Sequence, residues 1–207
     1  MVLSILIAAI TCYLLGNHNG AICVSAIMGD DVRKHGSGNA GLTNFIRNYG
    51  TSSALLVIAI DAGKAVIACI LGGLLLQPYG FGLEGRVLGG ACVMLGHVLP
   101  ALQGFRGGKG ILSGLFVALS VDWRIAIFIL VTFFVFYFLT QYVSLGSIMG
   151  ALAFAIGFVV FHHNNVAVML GGVFMGGLAI FMHRGNLARL LKGEERKTNL
   201  FSKGKSK

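Results

Sequence analysis

The chain has 207 residues, of which 56% are hydrophobic and only 11% are charged, and its formal net charge is +9 at pH 7. A soluble domain carries about 25% charged residues, so this composition excludes an ordinary soluble enzyme and predicts an all-α, polytopic membrane protein. Apolar segments recur along the whole length, so residues 1–207 are predicted to form one integral membrane domain.

Seven transmembrane helices are predicted in chain order. They cover Val2–Met28, Thr51–Leu76, Gly85–Leu102, Ile111–Val121, Ile125–Thr140, Ile148–Phe161 and Val166–Met182. The first is interrupted by Asn17-His18-Asn19-Gly20, whose polar side chains must face the bundle or a wet cavity. The second carries Asp61 and Lys64 on one helical face, which favours a neutralising pair over direct contact with a substrate. The fourth is short for a crossing, which a tilt or an earlier start in the preceding loop would explain.

The connections carry most of the cationic residues. Gly29–Gly50, Gly104–Gly110 and the basic tail His183–Lys207 hold thirteen of the sixteen Lys and Arg residues, namely three, two and eight. Cytoplasmic loops carry an excess of Lys and Arg. These segments and the turn Gln141–Ser147 are therefore predicted to be cytoplasmic, with the N-terminus outside and the C-terminus inside.

A glycine-rich loop, Gly104-Phe105-Arg106-Gly107-Gly108-Lys109-Gly110, combines four glycines with two cations. Glycine accepts positive φ angles, so this backbone can aim several N–H groups, together with the two cations, at one anion. The alternative is a flexible turn whose cations only orient the flanking helices. Because four polar loops converge on the same predicted face, the phosphate site is the favoured interpretation.

Several catalytic classes lack their signature here. A Walker A motif would need one more residue after Gly104, and Ser or Thr where Gly110 stands. The chain has no G-x-S-x-G elbow and no HEXXH zinc motif, and none of its six His residues is followed by Asp five positions later. What remains is an excess of anion-binding residues without a nucleophile. That set suits direct transfer between two phosphate-bearing substrates, one of them activated, such as an acyl phosphate.

Four segments resemble the signature segments of the bacterial acyl-phosphate:glycerol-3-phosphate acyltransferase family, PlsY. They are Gly36–Asn44 (GSGNAGLTN), Gly96–Ser113 (GHVLPALQGFRGGKGILS), Tyr142–Ser147 (YVSLGS) and His183–Lys197 (HRGNLARLLKGEERK). The resemblance implies a seven-helix enzyme of the bacterial cytoplasmic (inner) membrane with its active site at the cytoplasmic face. It implies transfer of a fatty acyl group from acyl phosphate to the 1-hydroxyl of glycerol-3-phosphate, giving lysophosphatidic acid and phosphate. This first step of phospholipid synthesis would need no cofactor, metal or covalent acyl-enzyme.

The resemblance also implies site residues. Lys109 would stabilise charge, whereas His97 and His183 would assist proton transfer or bind phosphate, or else play a structural part. The implied substrate-binding residues are Ser37, Asn39, Thr43, Asn44, Arg47, Arg106, Gly107, Gly108, Gly110, Ser144, Ser147 and Asn186. A phosphate oxygen of a bound substrate could replace a protein base. Glu195 and Lys197 match the family's tail motif, although such a run is more often a solvated basic face.

The chain departs from the family pattern at three places. Asn17–Gly20 stands where family members have a Ser-Ile-Pro turn, Leu42 replaces Ala, and Ser113 replaces Thr. None of these changes removes a predicted anion ligand. The expected partners are glycerol-3-phosphate, acyl phosphate and membrane lipid, with no nucleic acid and no obligatory protein partner.

A competing function is that of a transporter or flippase for a phosphorylated solute, which would use His18, Asp61 and Lys64 along a permeation path. The two halves of the chain contain no internal repeat, and the polar motifs crowd one face instead of meeting at mid-membrane. A structural membrane subunit is a third possibility, but it leaves four glycine-rich polar loops unexplained.

Overall fold

A computed structural model describes residues 1–197 of the protein. Within that range the secondary structure is entirely helical, as the sequence predicts. The α-helices are α1 (Val2–Asn17), α2 (Gly20–Ile27), α3 (Leu42–Tyr49), α4 (Ala54–Leu76), α5 (Gly82–Val98), α6 (Ile111–Val121), α7 (Trp123–Thr140), α8 (Val143–His162), α9 (Val166–Met182) and α10 (Arg184–Leu191).

The number of membrane crossings depends on how bent helices are counted. Among the described residues, four helical segments are long and apolar enough to cross a membrane, and two bent pairs raise the number to six. α1 and α2 meet at 44°, and α9 and α10 meet at 53°. α6 is apolar but has only 11 residues. The seven crossings predicted from the sequence therefore stay a prediction.

Helix boundaries agree with the sequence for α6 and α9 and differ elsewhere. The turn predicted over Gln141–Ser147 is wrong from Val143 onward, because Gln141 alone takes the left-handed conformation (φ 62°) that ends α7, and α8 starts two residues later. α7 begins early, at Trp123, because the Asp122 carboxylate accepts a hydrogen bond from the Arg124 N–H at 3.0 Å and caps the helix. The predicted loop Gly29–Gly50 contains the short helix α3.

Glycines bring the central helices into close contact. A Cβ atom at Gly85 would collide with the Gly72 carbonyl of α4, and one at Gly96 would collide with the Tyr13 carbonyl of α1. α5 therefore packs closely against both α1 and α4, as small residues allow in membrane bundles. α8 packs between α7 and α9, and this second group of helices closes the cleft described below.

Candidate active site

A cleft of about 900 Å³ collects most of the residues that the sequence singled out. Its polar end is lined by the first loop, the glycine loop and the start of α10. Its apolar end runs between α6, α7, α8 and α9. The apolar lining includes Met94 of α5 together with Ile129, Phe133, Phe154 and Met175. One continuous space therefore offers charged groups at one end and hydrocarbon at the other.

The first loop is organised around the buried amide of Asn44. Its Nδ2 donates to the carbonyl oxygens of Val32, His35 and Asn39 at 3.1 Å each, and its Oδ1 accepts from the Ser37 N–H at 3.0 Å. Asn44 lines the cleft, but most of its hydrogen-bonding capacity is used to fold this loop. The side chains that the folded loop presents to the cleft include Ser37, Asn39 and Thr43.

The glycine loop is anchored on His97. The Gly108 N–H donates to the His97 carbonyl oxygen at 3.1 Å. A Cβ atom at Gly107 would collide with that same oxygen, and one at Gly108 would collide with Nε2 of the His97 ring. Gly110 then takes a left-handed conformation (φ 80°) as the N-cap of α6. The loop therefore delivers Lys109 to the cleft beside a helix N-terminus, which favours bound anions.

Lys109 belongs to a chain of hydrogen bonds that includes the tail. Its Nζ donates to Oδ1 of Asn186, whose Nδ2 donates to the Glu195 carboxylate at 2.7 Å. Arg189 donates to the other Glu195 oxygen at 2.7 Å. Burial lowers the pKa of Lys109, Glu195 opposes this shift, and the nearby cations Arg189 and Arg47 add to it, which together bring the pKa to about 8. An anion bound beside Lys109 would therefore stabilise the charged form of its ammonium group.

Glu195 is the residue whose role the sequence left most open. Its side chain is only 9% exposed, and its carboxylate accepts hydrogen bonds from Asn186 and Arg189. The interpretation as part of a solvated basic face is therefore wrong for Glu195. The match to the tail motif was the signal that pointed to it. Lys197 lies with its Nζ 5.6 Å from the centre of the Tyr142 ring, which brings the tail back over the start of α8.

The start of α8 and the end of α9 complete the polar end. Ser144 and Ser147 are buried on the first turns of α8 and line the cleft. His183 is buried where α9 bends into α10, and its Nδ1 lies 2.8 Å from the Ala179 carbonyl oxygen. A carbonyl oxygen only accepts, so Nδ1 carries the proton, and Nε2 of the neutral ring holds a lone pair.

Charged side chains from α4 bind the backbone at the break between α1 and α2. Nζ of Lys64 donates to the carbonyl oxygens of Gly16 and His18 at 3.3 and 3.0 Å, where α1 ends. Asp61 accepts from the Gly20 N–H at 3.0 Å, where α2 begins. The predicted neutralising pair is confirmed, since Lys64 Nζ lies 2.8 Å from Asp61 Oδ1. Both charges satisfy backbone groups that the break leaves open, which offsets the cost of burying them.

Two of the predicted site residues, Gly108 and Arg106, are absent from the lining of the cleft within the described structure. Gly108 lies between Gly107 and Lys109, which both line it, whereas Arg106 lies apart. It lines a second concavity of about 470 Å³ with Arg33, Lys34 and Asp31, and its side chain is exposed. The left-handed residues Gly104 and Phe105 turn the chain just before it. The phosphate contact expected of Arg106 stays a prediction. Arg47 lines the main cleft from α3.

Comparisons with known proteins agree with this arrangement. The family model described as glycerol-3-phosphate acyltransferase matches residues 6–193. A glycerol-3-phosphate acyltransferase of Finegoldia magna is 34% identical over 94% of this chain and 96% of that protein. One of Thermoanaerobacter sp. (strain X514) is 38% identical over 92% and 94%, respectively.

Two crystal structures have the same fold. Both are of PlsY (YgiH), an integral membrane glycerol 3-phosphate acyltransferase. Its glycerol 3-phosphate form matches with a TM-score of 0.85 and 31% identity, over 96% of this chain and 100% of that chain. Its lysphosphatidic acid form matches with a TM-score of 0.82 and 32% identity, over 95% and 96%. With its long apolar helices, this protein is a multi-pass membrane protein, and it belongs to the glycerol-3-phosphate acyltransferase family.

Proposed function

We propose that this protein transfers a fatty acyl group from acyl phosphate to the 1-hydroxyl of glycerol-3-phosphate, giving lysophosphatidic acid and inorganic phosphate. The observation that carries the proposal is the continuity of the cleft, in which Lys109 and Arg47 share one space with the apolar lining around Phe154. A lysophosphatidic acid has a phosphate at one end and an acyl chain at the other. The cleft matches both.

The polar side chains at this end of the cleft divide into three groups by position. Arg47 projects from α3 beside the first loop, which makes it the residue best placed for the phosphate of glycerol-3-phosphate. Lys109 follows Gly107 and Gly108 at the N-cap of α6, which makes this loop the site for the phosphate of the donor. Ser144, Ser147 and Asn186 would orient the glycerol hydroxyl groups between them.

The reaction needs alignment more than a protein nucleophile. Attack of the 1-hydroxyl oxygen on the acyl carbonyl carbon forms the ester bond, and the bond from that carbon to the phosphate oxygen breaks. Phosphate leaves with the electron pair, and Lys109 would stabilise its charge. The hydroxyl proton would pass to the lone pair on Nε2 of His183 or to a phosphate oxygen of a bound substrate.

The membrane arrangement follows from the loop charges. We infer seven crossings with the N-terminus outside and the C-terminus in the cytoplasm, so that the polar end of the cleft meets the pool of glycerol-3-phosphate. The bent pair α1–α2, the bent pair α9–α10 and the short α6 would supply three of these crossings. The inferred location is the bacterial inner membrane. The tail lysines Lys203, Lys205 and Lys207 lie outside the described residues.

The proposal is tested with purified protein in lipid nanodiscs. Palmitoyl phosphate is added with and without glycerol-3-phosphate, and released phosphate and lipid products are measured, with glycerol as the matched acceptor lacking a phosphate. We expect release that depends on glycerol-3-phosphate and yields 1-acyl lysophosphatidic acid. Counterflow of glycerol-3-phosphate in liposomes, without any release, would instead assign the anion site to a carrier.

A further inference from the structure

The inner edge of the His97 ring faces two hydrogen-bond donors from the broken first span and its neighbour. Nζ of Lys64 lies 2.8 Å from His97 Nδ1, and Nδ2 of Asn19 lies 3.5 Å from the same atom. The orientation of the Asn19 amide is fixed, because its Oδ1 accepts from the Ile22 N–H at 3.1 Å and its Nδ2 donates to the Ala40 carbonyl oxygen at 3.0 Å. Both groups therefore present hydrogen atoms to Nδ1.

The ammonium group of Lys64 has no accepting capacity to offer the ring. Its other neighbours are acceptor oxygen atoms of Asp61, Gly16 and His18, so its three protons are shared among four acceptors. His97 Nδ1 and Asp61 Oδ1 are the nearest of the four, at 2.8 Å each. A proton on His97 Nδ1 would place two donors 2.8 Å apart. Asp61 Oδ1 lies 3.4 Å from the same nitrogen and is a competing acceptor, but Lys64 Nζ is nearer to both atoms, at 2.8 Å. The shorter contact favours a neutral ring that accepts at Nδ1 and carries its proton on Nε2.

The outer edge of the same ring reaches the proposed phosphate loop. His97 lines the cleft, and a Cβ atom at Gly108 would collide with its Nε2. Glycine at this position therefore lets the ring approach the loop backbone closely. An N–H at Nε2 adds one more donor beside the N-terminus of α6.

We propose that Lys64 and Asn19 are positioning residues that hold His97 in the Nε2–H tautomer, so that His97 donates a hydrogen bond to a phosphoryl oxygen and does not act as the base. This inference rests on the acyl transfer proposed above. It gives the two histidines of the cleft opposite tasks, since the Ala179 carbonyl leaves His183 with a lone pair on Nε2. Lys64 would then position His97 in addition to binding the backbone at the break between α1 and α2.

The tautomer is measured directly by ¹⁵N NMR on the full chain in nanodiscs, with labelled histidine and His97→Gln for assignment. We expect a bare Nδ1 and a protonated Nε2 at His97. A protonated Nδ1 would overturn the inference. Because the resting protein is measured, this result is independent of the reaction. If acyl transfer is active but Nδ1 is protonated, the proposed tautomer of His97 is refuted while the proposed reaction stands.

The task of His97 is tested by two substitutions at one position. Glutamine keeps a neutral N–H donor at a similar reach but is no base at any working pH. We expect His97→Ala to lower kcat by about 10² to 10³-fold, as for the loss of one charge-stabilising donor, and His97→Gln to recover most of that loss. Equal losses in both variants would make His97 a base and overturn the proposal.

The positioning residues are tested through the tautomer itself. Asn19→Ser keeps an N-cap for α2 but removes one donor to His97, and Lys64→Gln presents an amide that can either donate or accept. We expect a protonated Nδ1 signal to grow in each variant that folds, with a parallel fall in kcat. His18→Gln is the matched control, because its exposed side chain contacts the Leu14 carbonyl instead of the ring. An unchanged tautomer in both test variants would overturn their assignment.

Discussion

Two polar clusters of this protein contain the same kinds of side chain but treat their charges differently. At the junction of α6 and α7, Asp122 is paired with Arg124 at 2.6 Å and lies 3.2 Å from His162, while Arg124 lies over the Phe161 ring. At the polar end of the cleft, Lys109 and its partners line a cavity. The first cluster neutralises itself and caps a helix. The second leaves cationic capacity facing the cleft, which is the requirement for binding an anion.

The largest difference between the clusters is expected from Lys109→Ala. This change removes the glycine-loop cation that lines the cleft, and we expect turnover to fall by about 10³-fold, in the range known for lost transition-state donors. The fold should persist, because Lys109 contributes charge to the cleft and little to the core. The measurement is phosphate release from palmitoyl phosphate, with folding checked by size-exclusion chromatography. Wild-type turnover in a folded variant would refute the phosphate loop.

A smaller and more selective effect is expected from Arg47→Ala. Loss of one charge-assisted contact costs about 1.5 to 3 kcal/mol, so the KM for glycerol-3-phosphate should rise by about 10 to 100-fold while the KM for acyl phosphate changes little. Full titrations of both substrates measure this split. A change confined to the acyl phosphate KM would mean that the two phosphate sites are exchanged.

The cluster at the polar end of the cleft should also change its protonation state with pH. With the pKa of Lys109 lowered to about 8, the free enzyme loses this cation as the pH rises through that value. We therefore expect kcat/KM to fall about tenfold per pH unit above pH 8, as for one essential protonated group. Lys109→Arg is the matched control, because a guanidinium keeps its charge throughout this range. A profile that declines at the same pH in both proteins would assign the titration to another group.

The smallest effect on activity is expected from Asp122→Asn in the cluster at the junction of α6 and α7. The Arg124 guanidinium holds the pKa of Asp122 below its usual range, so the stability that this charge contributes is present above the unfolded pKa of about 3.9. That contribution is lost as the pH falls through the folded pKa. We expect unchanged turnover and a lower melting temperature at pH 7, with the difference shrinking below pH 4. Loss of turnover without loss of stability would contradict the comparison.

Hydrophobic patterning and glycine spacing predicted much of this architecture. The break at Asn17–Gly20 and the bounds of α6 and α9 follow from polar residues that interrupt apolar runs. The early start of α8 was missed, because Tyr142–Ser147 contains serine and glycine, which are common in loops but buried here at a helix start. Local sequence carries no information on which distant helix covers such a segment.

The site residues, too, could be predicted from the sequence only in part. Ser37, Asn39, Thr43 and Lys109 lie in glycine-rich segments, whose unusual composition made them visible in the sequence. The grouping of Asn186, Arg189 and Glu195 depends on the bend between α9 and α10 and on the return of the tail. The neighbours of His97 come from three separate parts of the chain, and only the folded structure brings them together. They are Asn19 at the break in the first span, Asp61 and Lys64 on α4, and Gly108 of the glycine loop.

The short length of α6 affects how the membrane meets the enzyme. Its 11 residues rise only about 16 Å, roughly half of the approximately 30 Å hydrocarbon layer. If the far end of α6 reaches the opposite surface, the glycine loop at its near end must lie well below the headgroups. We expect the bilayer to be locally thinner around α6, or water to fill the space between the glycine loop and the headgroups. A donor anchored in the bilayer by its acyl chain could then present its phosphate from the side, without leaving the membrane.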